Sequence, residues 1–371
     1  MGRLGVRGAF VEGRYVAGDI SVTAGVVDEI GLPPGSSGVA IPGFVDLQVN
    51  GFGGVDFTTA SGEEWAQANA SLARTGVAAY VANLISNDAT VINRALSVAR
   101  EVRAIQGGES AEFLGVHLEG PFLSPQKSGI HSPDFLQNPT IELMRTWREA
   151  GPVLMTTLAP ELSGALPMIE SLVSEGVVVS LGHSNATAAE AGAGFDAGAT
   201  TVTHIFNGMS GITARDPGLA GVALSRDDIW LQLILDLLHV DRTLAQLILK
   251  FAPQRVVLVT DCLPITGTPG THFTLGGTDI ELREGRAVNS AGVLAGSVVT
   301  MDQALRNALA CGMSEVDAVN ATSLNPRRLL DPQYEGPLLP GTAADLVVLD
   351  DSWEIVDVLV RGQSVLIQEV V

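Results

Sequence analysis

Eight short runs of mostly apolar residues alternate with helical patterns from Gly43 onward, and this alternation constrains the fold more than any other feature. Continuous apolar strands separated by helices are typical of a parallel sheet that is buried on both faces. Eight such units predict an α/β fold, the (β/α)8 TIM barrel. The predicted strands are Phe44–Val49, Val77–Leu84, Phe113–Leu118, Val153–Leu158, Val177–Leu181, Thr200–Ile205, Ile229–Leu235 and Val256–Thr260.

The two ends of the chain have a different pattern from the middle. Residues 1–40, Ala344–Leu349 and Ile355–Ile367 indicate short strands separated by turns. Neither end could bury a core alone, because small isolated strand pairs are marginally stable at best. We therefore predict a small β-sandwich domain made from both termini, residues 1–42 plus 337–371, beside a barrel domain over residues 43–336.

The charge balance and the apolar runs exclude several kinds of partner. The 371 residues include 41 Asp and Glu against 21 Lys and Arg, a formal net charge of −20, so neither nucleic acid nor an anionic membrane is expected. The longest apolar run, Ile229 to Val240, contains Asp236 and is too short to span a bilayer. The two cysteines, Cys262 and Cys311, allow at most one disulfide, and the absence of a signal-peptide pattern completes the expectation of a cytoplasmic protein.

Ionisable side chains collect where the predicted strands end. In a (β/α)8 barrel the carboxyl ends of the strands form the catalytic face. A lone histidine there is more often a satisfied polar core group than a ligand. His117 fits that interpretation best, and we expect it to point away from Glu119. The residues at or just beyond strand ends are His117, Glu119, His131, His183, His204, His239 and Asp261.

Three of these residues have the composition of an open catalytic metal site. Glu119, His183 and His204 supply one carboxylate and two imidazoles, which leaves a coordination position for water. A divalent ion lowers the pKa of such a water from 15.7 to about 7. Asp261 can then accept the proton and pass it to a leaving group. The ligand set favours zinc, with iron, cobalt and manganese as alternatives.

An ordered series of short motifs runs from about Pro42 to Ser297 and continues near the end of the chain. This series resembles that of the N-acetylglucosamine-6-phosphate deacetylases of the amidohydrolase superfamily, and "HLEGPF" with "GHSNAT" already separates that family from most relatives. The motifs are "PGFVDLQVNGFGGVDF", "LGVHLEGPFL", "TLAPE", "VVSLGHSNAT", "THIFNGM", "DPGLAG", "LHVD", "LVTD", "LAGS" and "GTAADLVVLD".

The resemblance implies a fold, an activity and a catalytic centre. Members of the family have a (β/α)8 barrel beside a β-sandwich from both termini. They are metal-dependent deacetylases that hydrolyse N-acetyl-D-glucosamine 6-phosphate to D-glucosamine 6-phosphate and acetate. Carried over to this sequence, Glu119, His183 and His204 are expected to hold the metal. Asp261 is expected to be the general base and then the acid, and His131 is expected to polarise the amide carbonyl.

The resemblance also implies contacts with a phosphorylated amino sugar. Asn207, Gly208 and His239 are expected at the phosphate. Arg215 is expected to reach the phosphate of the neighbouring subunit, so that the protein is a homodimer with shared sites. The remaining residues expected to line the sugar pocket are Ile130, Leu294, Ala295 and Gly296.

The first strand departs from the most common pattern of metal-dependent barrel hydrolases. It ends in Gln48-Val49-Asn50, where many of those enzymes have His-x-His. Some members of the resembled family carry that histidine pair and two metals, whereas others have Gln-x-Asn and one metal. Amides are poor zinc ligands. We therefore predict one divalent ion per subunit, with Gln48 and Asn50 lining the pocket or supporting the ligands.

Two other functions stay open on the sequence alone. One is a different amide hydrolase of the same superfamily, such as a dihydroorotase-like or dipeptidase-like enzyme. Those enzymes favour His-x-His, two metals and often a carbamylated lysine, whereas the predicted strand ends here carry no lysine. The other is a non-catalytic sugar-phosphate-binding protein, and the presence of Asp261 beside three ligand residues argues against it.

Overall fold

The computed structural model describes residues 2–366 and contains a nearly closed barrel of eight parallel strands. The strand order around the barrel follows the sequence, and each strand pairs in parallel with the next. The prediction of a (β/α)8 barrel is therefore confirmed. Barrel strands 1 to 8 are Phe44–Val49, Val77–Ile85, Glu112–Glu119, Val153–Leu158, Val178–Leu181, Thr201–Val202, Trp230–Ile234 and Val256–Val259.

The helices around the barrel begin at the capping residues that the sequence contains. Ser61 with Glu64, and Thr187 with Glu190, form reciprocal capping boxes, which satisfy backbone N–H groups at the first turn. Within residues 2–366, no helix is long and apolar enough to cross a membrane. The α-helices described there are Gly62–Arg74, Ala89–Ile105, Ile141–Ala150, Ala165–Ser174, Ala188–Asp196, Gly218–Ser225, Arg242–Phe251, Met301–Ala310, Glu315–Thr322 and Leu324–Leu330.

A second sheet combines strands from the two ends of the chain. Val39–Pro42 lies at its centre, parallel to Gly8–Val11 on one side and antiparallel to Leu346–Leu349 on the other. The hairpin Asp19–Thr23 with Val26–Leu32 packs on one face of this sheet around a shared apolar core. The remaining strands of the sheet are Arg14–Ala17, Ile355–Val360 and Gln363–Ser364.

These two layers confirm the predicted β-sandwich from both termini. The domain boundaries at residues 42 and 337 stay a prediction. Residue 367 of the predicted last strand, and the rest of the segment up to 371, lie outside the described residues.

A three-stranded antiparallel sheet that the sequence analysis did not predict follows barrel strand 8. Its strands are His272–Leu275, Thr278–Arg283 and Arg286–Asn289. Their apolar faces pack with Ile85 and with Ala295. The turns Gly276-Gly277 and Glu284-Gly285, which have positive φ angles, are the sequence signals that mark these hairpins. This small sheet therefore packs beside the barrel mouth.

Side-chain hydrogen bonds join the first and last strands of the barrel. Thr260 donates to the buried Asp46 carboxylate from its backbone N–H, at 3.2 Å, and from its hydroxyl, at 2.5 Å. The Gln48 N–H donates to the same carboxylate at 3.2 Å. Burial raises the pKa of Asp46 to about 6, against the hydrogen bonds of Thr260, which lower it. One further step along, the Asn50 N–H donates to the Cys262 carbonyl at 2.9 Å.

We predict that Asp46→Ala lowers the free energy of unfolding by about 1–3 kcal/mol, because the Thr260 and Gln48 N–H groups lose a buried acceptor. Urea titrations of both proteins measure the difference. Asp279→Ala, at a position away from the contact between the first and last barrel strands, is the control and should change stability by less than about 0.5 kcal/mol. Equal stability of the Asp46 variant and the wild type would show that the contact between the first and last barrel strands does not depend on this carboxylate.

Candidate active site

A cavity of about 330 Å³ lies at the carboxyl ends of the barrel strands. It brings together residues that are far apart in the sequence, as predicted for this face of the barrel. Arg215 and Gln48 are the two predicted site residues that do not line it within the described chain. The predicted residues that line it are Asn50, Glu119, Ile130, His131, His183, His204, Asn207, Gly208, His239, Asp261, Leu294, Ala295 and Gly296.

Three ligand atoms converge at the floor of this cavity. The Nε2 atoms of His183 and His204 lie 3.1 and 3.0 Å from Oε1 of Glu119, and 3.2 Å from each other. These separations are close to the distance of about 3.3 Å between ligands of a tetrahedral ion that sits about 2.0–2.1 Å from each. All three side chains are buried. The cluster is therefore compatible with one metal ion.

The hydrogen bond on the far side of His183 supports the same conclusion. Its Nδ1 lies 2.8 Å from the Lys127 carbonyl oxygen, which can only accept, so Nδ1 carries the proton. In the neutral imidazole, Nε2 then presents a lone pair toward Glu119 and toward the second imidazole. Lone pairs that face one another in a buried site need a cation between them. Burial raises the pKa of Glu119, but the two imidazoles beside it, His183 and His204, hold it well below its usual value.

The backbone turns sharply where several of these side chains leave their strands. His183, His204 and Asp261 have φ angles of 45°, 29° and 49°, in the left-handed region that non-glycine residues rarely adopt. Such a conformation costs about 1–3 kcal/mol per residue and is typical of functional sites. The turn at His204 also explains why barrel strand 6 is Thr201–Val202 and not the longer Thr200–Ile205 that the apolar run predicts.

Two amides from barrel strand 1 lie between the two carboxylates of the site. Gln48 Nε2 is 3.2 Å from Oε2 of Glu119 and 3.2 Å from Oδ1 of Asp261. Asn50 Nδ2 donates to the same Oδ1 at 2.8 Å. Burial raises the pKa of Asp261 well above its usual value, and the nearby Glu119 raises it further. The supporting position predicted for Gln48 and Asn50 agrees with this geometry, and their role stays a prediction.

Asn83, on barrel strand 2, was not identified from the sequence. Its Nδ2 lies 2.6 Å from Oε2 of Glu119 and 2.9 Å from Oδ1 of Asn50, and the side chain is buried. The available signal was a single amide in the otherwise apolar run Val77–Leu84, at a position whose side chain alternates into the barrel with Ala79 and Val81.

His131 faces the cavity with a defined tautomer. The Ser86 backbone N–H donates to Nδ1 of His131 at 3.2 Å, and the Ser86 hydroxyl lies 3.0 Å from the same atom. Because Nδ1 accepts this bond, the neutral ring carries its proton on Nε2. Burial lowers the pKa of His131 to about 3, so the ring is neutral near pH 7.

A second carboxylate–histidine pair lies at the other side of the cavity. The Asp236 carboxylate accepts from Nδ1 of His239 at 2.7 Å, and from the backbone N–H groups of Leu238 and His239 at 2.9 Å each. Burial raises the pKa of Asp236, but the hydrogen bonds of His239 leave it below its usual value. Asp236, which sequence analysis noted only as an interruption of an apolar run, therefore fixes the orientation of the His239 ring.

His117 and Arg215 both lie outside the lining of the cavity. His117 is buried, but the prediction that it points away from Glu119 was wrong, because residues two apart on a strand share one side. Its Nε2 bonds the Thr157 hydroxyl at 2.6 Å, and burial lowers its pKa to about 4. Arg215 lies in the exposed segment 211–215, away from the cavity of its own chain.

The model of the amidohydrolase family matches residues 39–365. A curated relative from Escherichia coli O157:H7, N-acetylgalactosamine-6-phosphate deacetylase, is 34% identical over 326 residues, which are 87% of this chain and 86% of that protein. The N-acetylglucosamine-6-phosphate deacetylase of Danio rerio is 35% identical over 343 residues, 88% of this chain and 84% of that protein.

The fold agrees with solved structures over nearly the whole chain. One is an aspartate-to-alanine mutant of N-acetyl-D-glucosamine-6-phosphate deacetylase from Mycobacterium smegmatis, in complex with N-acetyl-D-glucosamine-6-phosphate. It has a TM-score of 0.91 and 33% sequence identity, and the match covers 98% of this chain and 99% of that one. Family model, relatives and structure agree with one another. The chain belongs to the amidohydrolase family and, within it, to the N-acetylglucosamine-6-phosphate deacetylases.

Proposed function

We propose that this protein hydrolyses the acetamide group of N-acetyl-D-glucosamine 6-phosphate, giving D-glucosamine 6-phosphate and acetate. The observation that carries the proposal is the convergence of Glu119, His183 and His204 beside Asp261 at the barrel mouth. The fold is shared with a deacetylase that was crystallised with this sugar phosphate. A non-catalytic binding protein would have no need of a buried carboxylate next to a candidate metal cluster.

We infer one divalent ion per subunit, zinc, held by Glu119, His183 and His204. When bound, the ion acts as a Lewis acid, polarises oxygen atoms and lowers the pKa of water. One carboxylate and two imidazoles suit zinc, while iron, cobalt and manganese can use the same ligands. Because amide nitrogens of Gln48 and Asn50 point at the site carboxylates, these two residues support the cluster and are not ligands.

Asp261 is the proton carrier in this proposal. Its Oδ1 accepts from Gln48 and Asn50, which leaves Oδ2 for the reaction. As the water oxygen bonds to the carbonyl carbon, Oδ2 takes a proton from the water. As the C–N bond breaks, it gives that proton to the amine nitrogen. Burial and Glu119 raise the pKa of Asp261, and a cation in the cluster opposes both effects.

His131 stabilises the charge that develops on the carbonyl oxygen. Its Nδ1 accepts from Ser86, so the proton on Nε2 is available to the cavity. A neutral donor held in this way can bond the oxygen more strongly as negative charge builds up on it. The low pKa of His131 means that the ring performs this role without itself changing charge near pH 7.

The phosphate must be recognised locally, because the protein carries a formal net charge of −20. Asn207, Gly208 and His239 line the cavity and are the groups we assign to the phosphate end. Arg215 has a planar fork suited to phosphate and is exposed outside its own cavity. We therefore propose a homodimer in which Arg215 enters the site of the neighbouring subunit.

The sugar ring is assigned to the wall formed by Ile130 and the turn Leu294-Ala295-Gly296. A second candidate substrate is N-acetyl-D-galactosamine 6-phosphate, since a relative with 34% identity is named as a deacetylase of that sugar. The two substrates share the acetamide and the phosphate and differ only in the configuration of one hydroxyl. The cytoplasm stays the predicted location.

Acetate release from N-acetyl-D-glucosamine 6-phosphate tests the proposed reaction directly. We expect turnover that disappears on chelation and returns when zinc is added, because the ligand cluster holds the ion that activates water. The unphosphorylated sugar should be a much poorer substrate. The galactosamine epimer, assayed in parallel, decides between the two sugar phosphates. Undiminished turnover by the chelated protein would contradict the role of the metal.

Asp261→Asn should lower kcat by about 10²- to 10⁴-fold, because an amide cannot carry the proton from water to the amine. KM and metal content should change little, since the side-chain shape is kept. Steady-state kinetics with metal analysis measure both quantities. If kcat were unchanged, Asp261 would not be the proton carrier.

Arg215→Ala should raise KM by about 10- to 100-fold through the lost charge-assisted phosphate contact, with metal content unchanged. Arg14→Ala, which removes an exposed arginine from the small domain, is the matched control.

Mixing Arg215→Ala with Asp261→Asn subunits tests the shared site. Half of randomly mixed dimers are hybrids with one intact site, so at substrate concentrations well below the wild-type KM, where sites without Arg215 contribute little, activity should recover to about a quarter of wild type. No recovery, despite verified subunit exchange, would place Arg215 in its own subunit's site or outside the site altogether.

A further inference from the structure

A chain of hydrogen bonds links Glu119 to Asp261 through two asparagine side chains. Asn83 Nδ2 contacts Oε2 of Glu119 at 2.6 Å and Oδ1 of Asn50 at 2.9 Å. Asn50 Nδ2 then contacts Oδ1 of Asp261 at 2.8 Å. All four side chains are buried. Barrel strands 1, 2, 3 and the end of strand 8 are therefore connected at the level of the candidate metal cluster.

The direction of every bond in this chain is fixed by chemistry. An ionised carboxylate only accepts hydrogen bonds, so Asn83 must turn its NH₂ group to Glu119; the same NH₂ group faces Asn50, which must therefore turn its oxygen to Asn83 and its own NH₂ group to Asp261. The Asn50 carbonyl oxygen then faces Asn83, whose second N–H is free to donate to it. The two protons of Asn83 Nδ2 are thus both used, and flipping either amide would place oxygen against oxygen.

The chain decides which oxygen of each carboxylate is left for chemistry. With Oε2 of Glu119 bound by Asn83 at 2.6 Å and by Gln48 at the longer distance of 3.2 Å, only Oε1 faces the two histidine Nε2 atoms, at 3.0–3.1 Å. With Oδ1 of Asp261 bound by Asn50, Oδ2 is the oxygen that remains. Amide donors, and not a second cation, satisfy Oε2 of Glu119 and Oδ1 of Asp261. An N–H group and a metal ion cannot approach the same lone pair together.

We propose that Asn83 is a positioning residue for the deacetylation: it holds Glu119 with a single oxygen toward the metal and, through Asn50, orients Asp261 for proton transfer. The proposal rests on the proposed function for its catalytic consequence, whereas its consequence for metal binding does not. Outer partners of metal ligands commonly change metal affinity or activity by about 10- to 100-fold when they are removed. A residue that only fills space would not have this effect.

Asn83→Ala is the first test. We expect zinc affinity, measured by competition with a chromophoric chelator, to fall about 10- to 100-fold. At saturating zinc, kcat should also fall, while KM changes little because Asn83 does not line the cavity. Asn83→Leu removes the same donors while filling the space, so it separates the loss of hydrogen bonds from the creation of a hole.

Asn325→Ala is the matched control, since Asn325 is equally a buried asparagine with two hydrogen bonds. Its Nδ2 donates to the carbonyls of Gln254 and Val256, at the opposite end of barrel strand 8. We expect this variant to lose thermal stability as Asn83→Ala does, with zinc affinity and kcat close to wild type. A purely structural role of Asn83 predicts the same behaviour for both variants.

A double-mutant cycle with Asn50→Ala tests the link to Asp261. Because the two residues act in one chain, the double variant should lose less kcat than the product of the two single losses. Independent, multiplying effects would overturn the coupling through Asn50.

Unchanged zinc affinity and kcat in both folded Asn83 variants would overturn the proposal. Should one of the two variants not fold, the other decides the test, because both remove the Asn83 amide donors. The zinc measurement needs no substrate. A wild-type protein that binds zinc but releases no acetate would therefore reject the proposed function, while the affinity of the Asn83 variants still decides the inference.

Discussion

The site is organised around one buried carboxylate, Glu119, that requires partners on both of its oxygens. Removing an ionised carboxylate from water costs several kcal/mol unless it is paired and hydrogen-bonded. His183 and His204 converge on Oε1, and Gln48 and Asn83 donate to Oε2. Five different barrel strands or strand ends contribute these groups. The nearly closed barrel is therefore the condition for the site, because the curvature of the sheet brings all five to one point.

Fixed hydrogen-bond partners also determine which nitrogen of a histidine ring faces the cavity. Three of the four imidazoles that line the cavity, all except His204, have one nitrogen bonded to a fixed partner, which leaves the other nitrogen for a ligand. For His183 the partner is the Lys127 carbonyl, for His131 the Ser86 N–H, and for His239 the Asp236 carboxylate. A carbonyl or carboxylate oxygen accepts a hydrogen bond from the ring N–H. A backbone N–H instead donates a hydrogen bond to the lone pair of a ring nitrogen. The backbone thereby distinguishes a lone pair on His183, directed at Glu119 and His204, from a cavity-facing donor on His131.

The barrel could be predicted from the sequence because eight apolar runs recur with helices between them, and the candidate ligands because they stand at strand ends within recognisable motifs. Contacts that depend on register could not be predicted. Asn83 and Asp236 belong to no motif, and their partners lie across the barrel mouth or in a turn. Barrel strand 6 is shorter than its apolar run because the backbone turns at His204. The sheet over residues 272–289 consists of short, half-exposed strands with little apolar periodicity.

Because the small domain is built from both ends of the chain, its strands are synthesised at different times. Val39–Pro42 pairs along one side with Leu346–Leu349, a strand that the ribosome delivers some three hundred residues later. Until then the nascent polypeptide presents an unpaired apolar edge, the kind of edge that recruits foreign strands. The barrel emerges in full before that edge is covered. The arrival of Leu346–Leu349, and not completion of the catalytic pocket, is thus the step that covers this edge of Val39–Pro42 against pairing with foreign strands.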